Sequence, residues 1–182
     1  AIVVAGAGGN LWIGENDGEG RRLDLGHDIT DIDIVSETTV VVLDPVGRVL
    51  VVDESGGGRL LAEDPRLALA RGLTVAPDGT VVVAATQDGA LFEVTDSGTV
   101  LALPLTAPLG QPVDTLVLAD GALAVTDAEP SSLRIFNGAE KGWSTALPPA
   151  PTPTGPHLAR HGRRIFVTHP ELGHVSEYAP NG

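Results

Sequence analysis

Two histidines and a glutamate stand within six residues in His169-Pro170-Glu171-Leu172-Gly173-His174, and His161 lies at the turn before them. Imidazole nitrogens and a carboxylate on one loop can ligate a divalent metal, and imidazole also titrates near neutral pH. The plainer reading is a polar hairpin whose histidines face water. A second set is acidic: Asp44, Asp88 and Asp127 each close a strand-like run, and Glu129 follows the last of them. Carboxylates that converge could bind a ligand or hold Ca²⁺ or Mg²⁺. Aspartate also bonds its own backbone in turns, so turn chemistry alone explains the same positions. Asn16-Asp17-Gly18-Glu19-Gly20 resembles a calcium loop in composition, but no flanking helices are predicted and a solvated hairpin fits better. Ala5-Gly6-Ala7-Gly8-Gly9 follows a strand-like run, yet Leu11 replaces the third glycine of a dinucleotide fingerprint.

The elements that must position these residues repeat. Gly72 to Pro104 reads GLTVAPDG-TVVVAATQDG-ALFEVTDSG-TVLALP, four Val- and Leu-rich strands closed by Asp-Gly and Ser-Gly turns. Gly47 and Gly89 are 42 residues apart, and so are Gly79 and Gly121; the step to Gly162 is 41. A four-stranded unit of about 42 residues predicts an all-β fold, a β-propeller. Calling the strands A to D, the chain reads BCD, three times ABCD, then ABC. That is one domain over residues 1–182, with incomplete first and last blades. It is either a ring of about five blades or part of a six- or seven-bladed ring. The absence of methionine suits a processed chain or a piece of a larger protein. Pro65 to Arg71 reads as an inter-blade connection, and the proline-rich Leu147 to Pro156 as a stiff connector.

In such a fold the D-to-A and B-to-C connections share one face around the axis. They carry His27, Asp28 and Asp31 as well as Asp44, Asp88, Asp127, Glu129, His169, Glu171 and His174. Loops held on a rigid scaffold are the usual place for function.

Composition excludes several classes. The chain has 182 residues, net charge −13 and no cysteine. Disulfides and Cys-ligated zinc are therefore impossible. Nucleic acid and anionic membrane surfaces are poor partners, because both demand clustered Lys and Arg. No run has the length of a transmembrane helix or the pattern of a signal peptide.

The pieces Gly72-Leu73-Thr74-Val75, Pro77-Asp78-Gly79, Thr80 to Ala84, Leu118-Ala119-Asp120-Gly121 and Leu11-Trp12-Ile13-Gly14 resemble blades of NHL-type propellers and of their relatives, the streptogramin lyases and gluconolactonases. The resemblance implies the fold. Its functions range from ligand-binding sensor to metal-dependent hydrolase or lyase, and blade motifs do not choose among them. The expectation is a non-catalytic binding or sensor module of a larger, extracytoplasmic bacterial protein, with a protein or glycan partner and no cofactor. The alternatives are a metal-dependent hydrolase or lyase using a divalent cation at His169, Glu171 and His174 or at the axial aspartates, and a structural spacer.

Overall fold

The computed structural model describes residues 2–6, 8–14, 20–149 and 155–179. They form a five-bladed β-propeller of antiparallel meanders. Blade 1 holds β1 (Ile2–Gly6), β2 (Asn10–Gly14) and β3 (Gly20–Asp24). Blade 2 holds β4 (Asp31–Ser36), β5 (Thr39–Leu43), β6 (Arg48–Asp53) and β7 (Gly58–Glu63). Blade 3 holds β8 (Gly72–Val75), β9 (Val81–Ala85), β10 (Ala90–Val94) and β11 (Val100–Ala102). Blade 4 holds β12 (Pro112–Val117), β13 (Leu123–Ala128), β14 (Ser131–Asn137) and β15 (Glu140–Ala146). Blade 5 holds β16 (Leu158–His161), β17 (Arg164–His169) and β18 (His174–Tyr178). The outer blades are thus three-stranded and the middle three four-stranded, in the strand order expected from the repeat.

The B strands of the middle blades are apolar on both sides because each side meets a different neighbour. In β5, Val40 and Val42 pack toward Leu11 and Ile13 of blade 1, while Val41 and Leu43 pack toward Val81 and Val83 of blade 3. In β9 the alternate residues Val82 and Ala84 pack toward Val125 and Phe136 of blade 4. Ala124 and Leu133 then meet Ile165 and Val167 of blade 5. Successive side chains point to opposite faces, so a continuous Val run is what a sheet covered on both faces requires. The A-to-B turns are closed by Asx bonds: Asp78 Oδ1 accepts from Thr80 N at 3.0 Å, and Asp120 Oδ1 accepts from Ala122 N at 3.1 Å. Gly79 and Gly121 take φ of 89° and 85° there, which a side chain disfavours.

The A strands line the axis and pack in chain order, β4 on β8, β8 on β12 and β12 on β16, and the B strand β1 of the first blade packs against β4. Gly72 permits the closest of these approaches. A Cβ on it would lie 2.6 Å from Asp114 Cα and 2.8 Å from Val113 O, against backbone that cannot yield. Gly72→Ala is therefore expected to cost about 1–2 kcal/mol by overpacking. Gly58→Ala, where a Cβ meets open space, is expected to stay within about 0.5 kcal/mol of the parent. Urea midpoints compare the two directly, and equal midpoints would remove Gly72 from the axial seam.

Pro65 to Arg71 is an inter-blade connection, opened by a single 3₁₀ turn over Pro65–Leu67 that Asp64 caps by accepting from Arg66 N. No described helix is long and apolar enough to cross a membrane. Residues 15–19, which hold most of the calcium-like loop, lie outside the described residues. So do 150–154 of the proline-rich connector and Ala7 of the glycine-rich start.

Candidate functional site

The D-to-A connections before β4, β8 and β12 meet the B-to-C turns of blades 2 and 3 around a cleft of about 460 Å³. Its lining includes Thr30, Leu69, Arg71, Gln87 and Gln111. Hydrogen-bonding side chains thus alternate with apolar ones, the mixture that orients small polar ligands. Leu69 combines φ of 56° with an exposed side chain. A leucine held in the left-handed region stores of order 1 kcal/mol, and such residues concentrate at ligand clamps.

The inner strands start directly below this mouth, and their first residues form a polar seam. Asp31 follows Thr30 and accepts from Leu73 N at 2.7 Å. Asp33 accepts from Val75 N at 2.7 Å and from Thr74 Oγ1 at 3.2 Å. Asp114, 5% exposed, accepts from Thr115 N and Leu158 N, each at 2.7 Å. Its Oδ2 also lies 3.4 Å from His157 Nδ1. Each carboxylate therefore supplies hydrogen bonds that no strand ladder provides between blades. Burial pushes the Asp31 carboxyl up to about 7, and the charge of Asp114 adds to it. Burial raises Asp114 as well, against the pull of His157. His157 is raised by its hydrogen bond to Asp114. A carboxyl that exchanges its proton near neutral pH beside a second carboxyl and an imidazole can act as an acid or base, or sense pH.

The acidic candidates from the sequence have other duties. Asp44 is 0% exposed. It accepts from Val46 N, Arg48 N and Arg48 Nε, the last at 2.5 Å. Asp127 is 0% exposed. It accepts from Gly110 N, Gln111 N and Glu129 N and pairs with Arg134 Nη2 at 3.1 Å. Asp88 is exposed and acts on Arg66 only through its charge. Glu129 is exposed and accepts from Gln111 Nε2 at 3.2 Å. Asp127 and Glu129 thus hold Gln111, a cleft residue, from its backbone and its amide.

His169 and His174 stand opposite each other across β17 and β18, with ring centroids 4.8 Å apart. His169 is 3% exposed and its Nε2 has no hydrogen-bond partner. Burial, then the nearby His174, lowers its pKa, so the ring is neutral at pH 7. Glu171 lies exposed in the 3₁₀ turn Pro170–Leu172 between them. His161 sits at the opposite end of the blade, at the β16–β17 turn. Among the described residues no three His, Asp or Glu side chains gather closely enough to hold a metal.

Asp114 and His157 were invisible as site residues in the sequence, because both belong to the start of inner strands rather than to the loops. The one available signal was their polarity at positions where blade 3 has Gly72 and apolar neighbours.

Solved structures share this fold. Virginiamycin B lyase from Staphylococcus aureus matches with a TM-score of 0.61 and 16% identity, over 97% of this chain and 68% of that one. A putative gluconolactonase matches with a TM-score of 0.68 and 16% identity, over 91% and 66%. A chain of a nidogen/laminin complex matches with a TM-score of 0.74 and 18% identity, over 94% and 72%. The likeness to streptogramin lyases, gluconolactonases and NHL-type propellers therefore holds at the level of the fold. Identities this low establish nothing further, since one fold hosts unrelated activities. No family model matches the sequence, and no curated protein matches it.

Proposed function

We propose that the chain is a non-catalytic binding or sensor module, extracytoplasmic in location, that receives a polar group of a glycan or protein partner in the cleft above the seam. The observation that carries this reading is the lining. Thr30, Gln87 and Gln111 offer neutral donors and acceptors, and Leu69 offers an apolar contact. The charges below and beside them, Asp31 and Asp114 against His157 and Arg71, nearly balance. A neutral or zwitterionic polar group fits such a site better than a strongly charged one. A propeller of the same shape in a nidogen/laminin complex agrees with a role in protein association.

One observation favours a second reading. Asp31, titrating near 7 at the foot of a cleft, has the property of a general acid or base. Two neighbours in fold bear enzyme names. In this reading the chain is a hydrolase or lyase in which the Asp31 carboxyl moves the proton.

A panel of oligosaccharides and short peptides, screened by calorimetry, separates the two. The expected result is a ligand whose affinity falls about tenfold or more in Gln87→Ala/Gln111→Ala, two hydrogen bonds being lost. EDTA and added Ca²⁺, Mg²⁺, Mn²⁺ or Zn²⁺ are expected to leave the unfolding midpoint unmoved. Turnover of a lactone or ester that disappears in Asp31→Asn would replace the binding reading with the enzymatic one.

A further inference from the structure

We propose that the opposite mouth of the axis is a second binding site, selective for a small monocarboxylate with an apolar body. The inner strands end there. Ile34 and Val35 of β4, Val75 of β8, Val117 of β12 and Arg160 of β16 line one cleft of about 260 Å³. Ile34 and Val35 are large, neighbouring and exposed, 45% and 47%. Exposed apolar surface that gathers in a concave place marks a contact site more than scattered surface residues do. Arg160 also lines an adjoining cleft of about 270 Å³, between the A-to-B turns of blades 4 and 5, together with Arg163. One guanidinium thus stands between an apolar recess and a second cation.

The charge balance of this face selects the ligand. Arg164 here, like Arg48, Arg66 and Arg134 on the opposite face, stands against a carboxylate. Among the described residues Arg160 and Arg163 have no ion-pair or hydrogen-bond partner. Of the acids at this mouth, Glu37 is exposed in the β4–β5 turn, and Asp78 and Asp120, which lines the second cleft, each engage one carboxylate oxygen with an amide of their own turn. A planar guanidinium matches a carboxylate in two parallel hydrogen bonds. The chain's net charge of −13 disfavours a dianion such as phosphate. At physiological salt, where charges are screened beyond about 8 Å, a monoanion senses its immediate surroundings, in which two arginines stand against Asp120. The apolar recess beside Arg160 gives the remainder of the ligand somewhere to go.

Hexanoate, 1-hexanol and acetate probe the two halves of the site separately, titrated at pH 7 and physiological salt and followed by amide chemical shifts. Hexanoate is expected to bind saturably, about tenfold or more tighter than either control, and to move the amides of Val35, Val75 and Val117. Arg160→Ala is expected to weaken hexanoate about tenfold, Arg160→Lys to restore part of the loss, and Arg163→Ala to weaken it about threefold. Ile34→Ser is expected to weaken hexanoate without changing acetate. These side chains are exposed, so the variants keep the parent's unfolding midpoint, which is measured alongside. Hexanol binding as tightly as hexanoate, an Arg160→Ala variant with unchanged affinity, no saturation at millimolar hexanoate, or shifts at Gln87 and Gln111 instead would each overturn the proposal.

Discussion

Asp127→Ala is expected to destabilise the protein by about 3–5 kcal/mol, while Asp88→Ala changes stability by less than about 0.5 kcal/mol. Both lie in or beside a B-to-C turn and differ in what surrounds them. Asp127 is buried against Arg134, whose Nη1 donates to Pro108 O at 2.6 Å and whose Nε donates to Ser132 Oγ at 3.1 Å. Removing the carboxylate leaves a guanidinium in a water-poor site with its charge uncompensated. It also leaves the amides of Gly110, Gln111 and Glu129 without their acceptor, and each orphaned buried amide costs further. Asp88 has only solvent and a distant arginine to lose. Adding Arg134→Leu to Asp127→Ala is expected to recover part of the loss, since the two groups act as a unit. Urea denaturation at pH 7 gives all three numbers, and a cost below about 1 kcal/mol for Asp127→Ala would show that the pair is dispensable. Because Gln111 is held by Asp127, the same variant is expected to loosen the cleft.

This contrast also shows where the sequence stopped being readable. The fold was legible because blade physics writes itself into local patterns. Val81 to Ala85 had to be apolar throughout, with blades on both sides, and Asp-Gly pairs had to close the hairpins at a fixed period. The candidate site was less legible, because a repeat aligns positions and says nothing of their partners. Asp44, Asp88 and Asp127 all fall in or beside B-to-C turns, yet only two are buried, and the 42-residue step from Asp44 leads to the buried Thr86 rather than to Asp88. The distinguishing signal was downstream: Arg48 follows Asp44 and Arg134 follows Asp127, while blade 3 has Phe92 and Glu93 after Asp88. A buried aspartate needs a compensating cation. The axial seam was harder still. Asp31 and Asp114 bond amides of the next blade, Leu73 and Leu158, and contacts across a blade boundary leave no trace in local periodicity.

That seam makes the fold sensitive to pH in a definite direction. Asp31 has a folded pKa of about 7 against an ordinary 3.8, so the native state holds its proton more tightly than the unfolded chain does. Stability from this group is complete below about pH 4 and is lost as pH rises through 7. His157 is raised above 6.5 by Asp114; its contribution is present below 6.5 and is lost above its folded pKa, in the same sense. On the acid side Asp64, lowered by Arg66, works in reverse: its contribution disappears as pH falls through its folded pKa. The protein is therefore expected to be most stable near pH 4–5 and to weaken toward pH 8. A full three-unit shift corresponds to about 4 kcal/mol, and solvent reaching the half-buried carboxyl reduces this to about 2–3 kcal/mol. General repulsion in a chain of charge −13 falls in the same direction, so the decisive comparison is with Asp31→Asn. Asparagine still accepts from Leu73 N and stays neutral at every pH. The variant is expected to match the parent near pH 4–5 and to exceed its stability by about 2–3 kcal/mol at pH 8. Denaturant midpoints across that range test it, and parallel curves for parent and variant would show that Asp31 ionises normally and that the seam holds no proton at neutral pH.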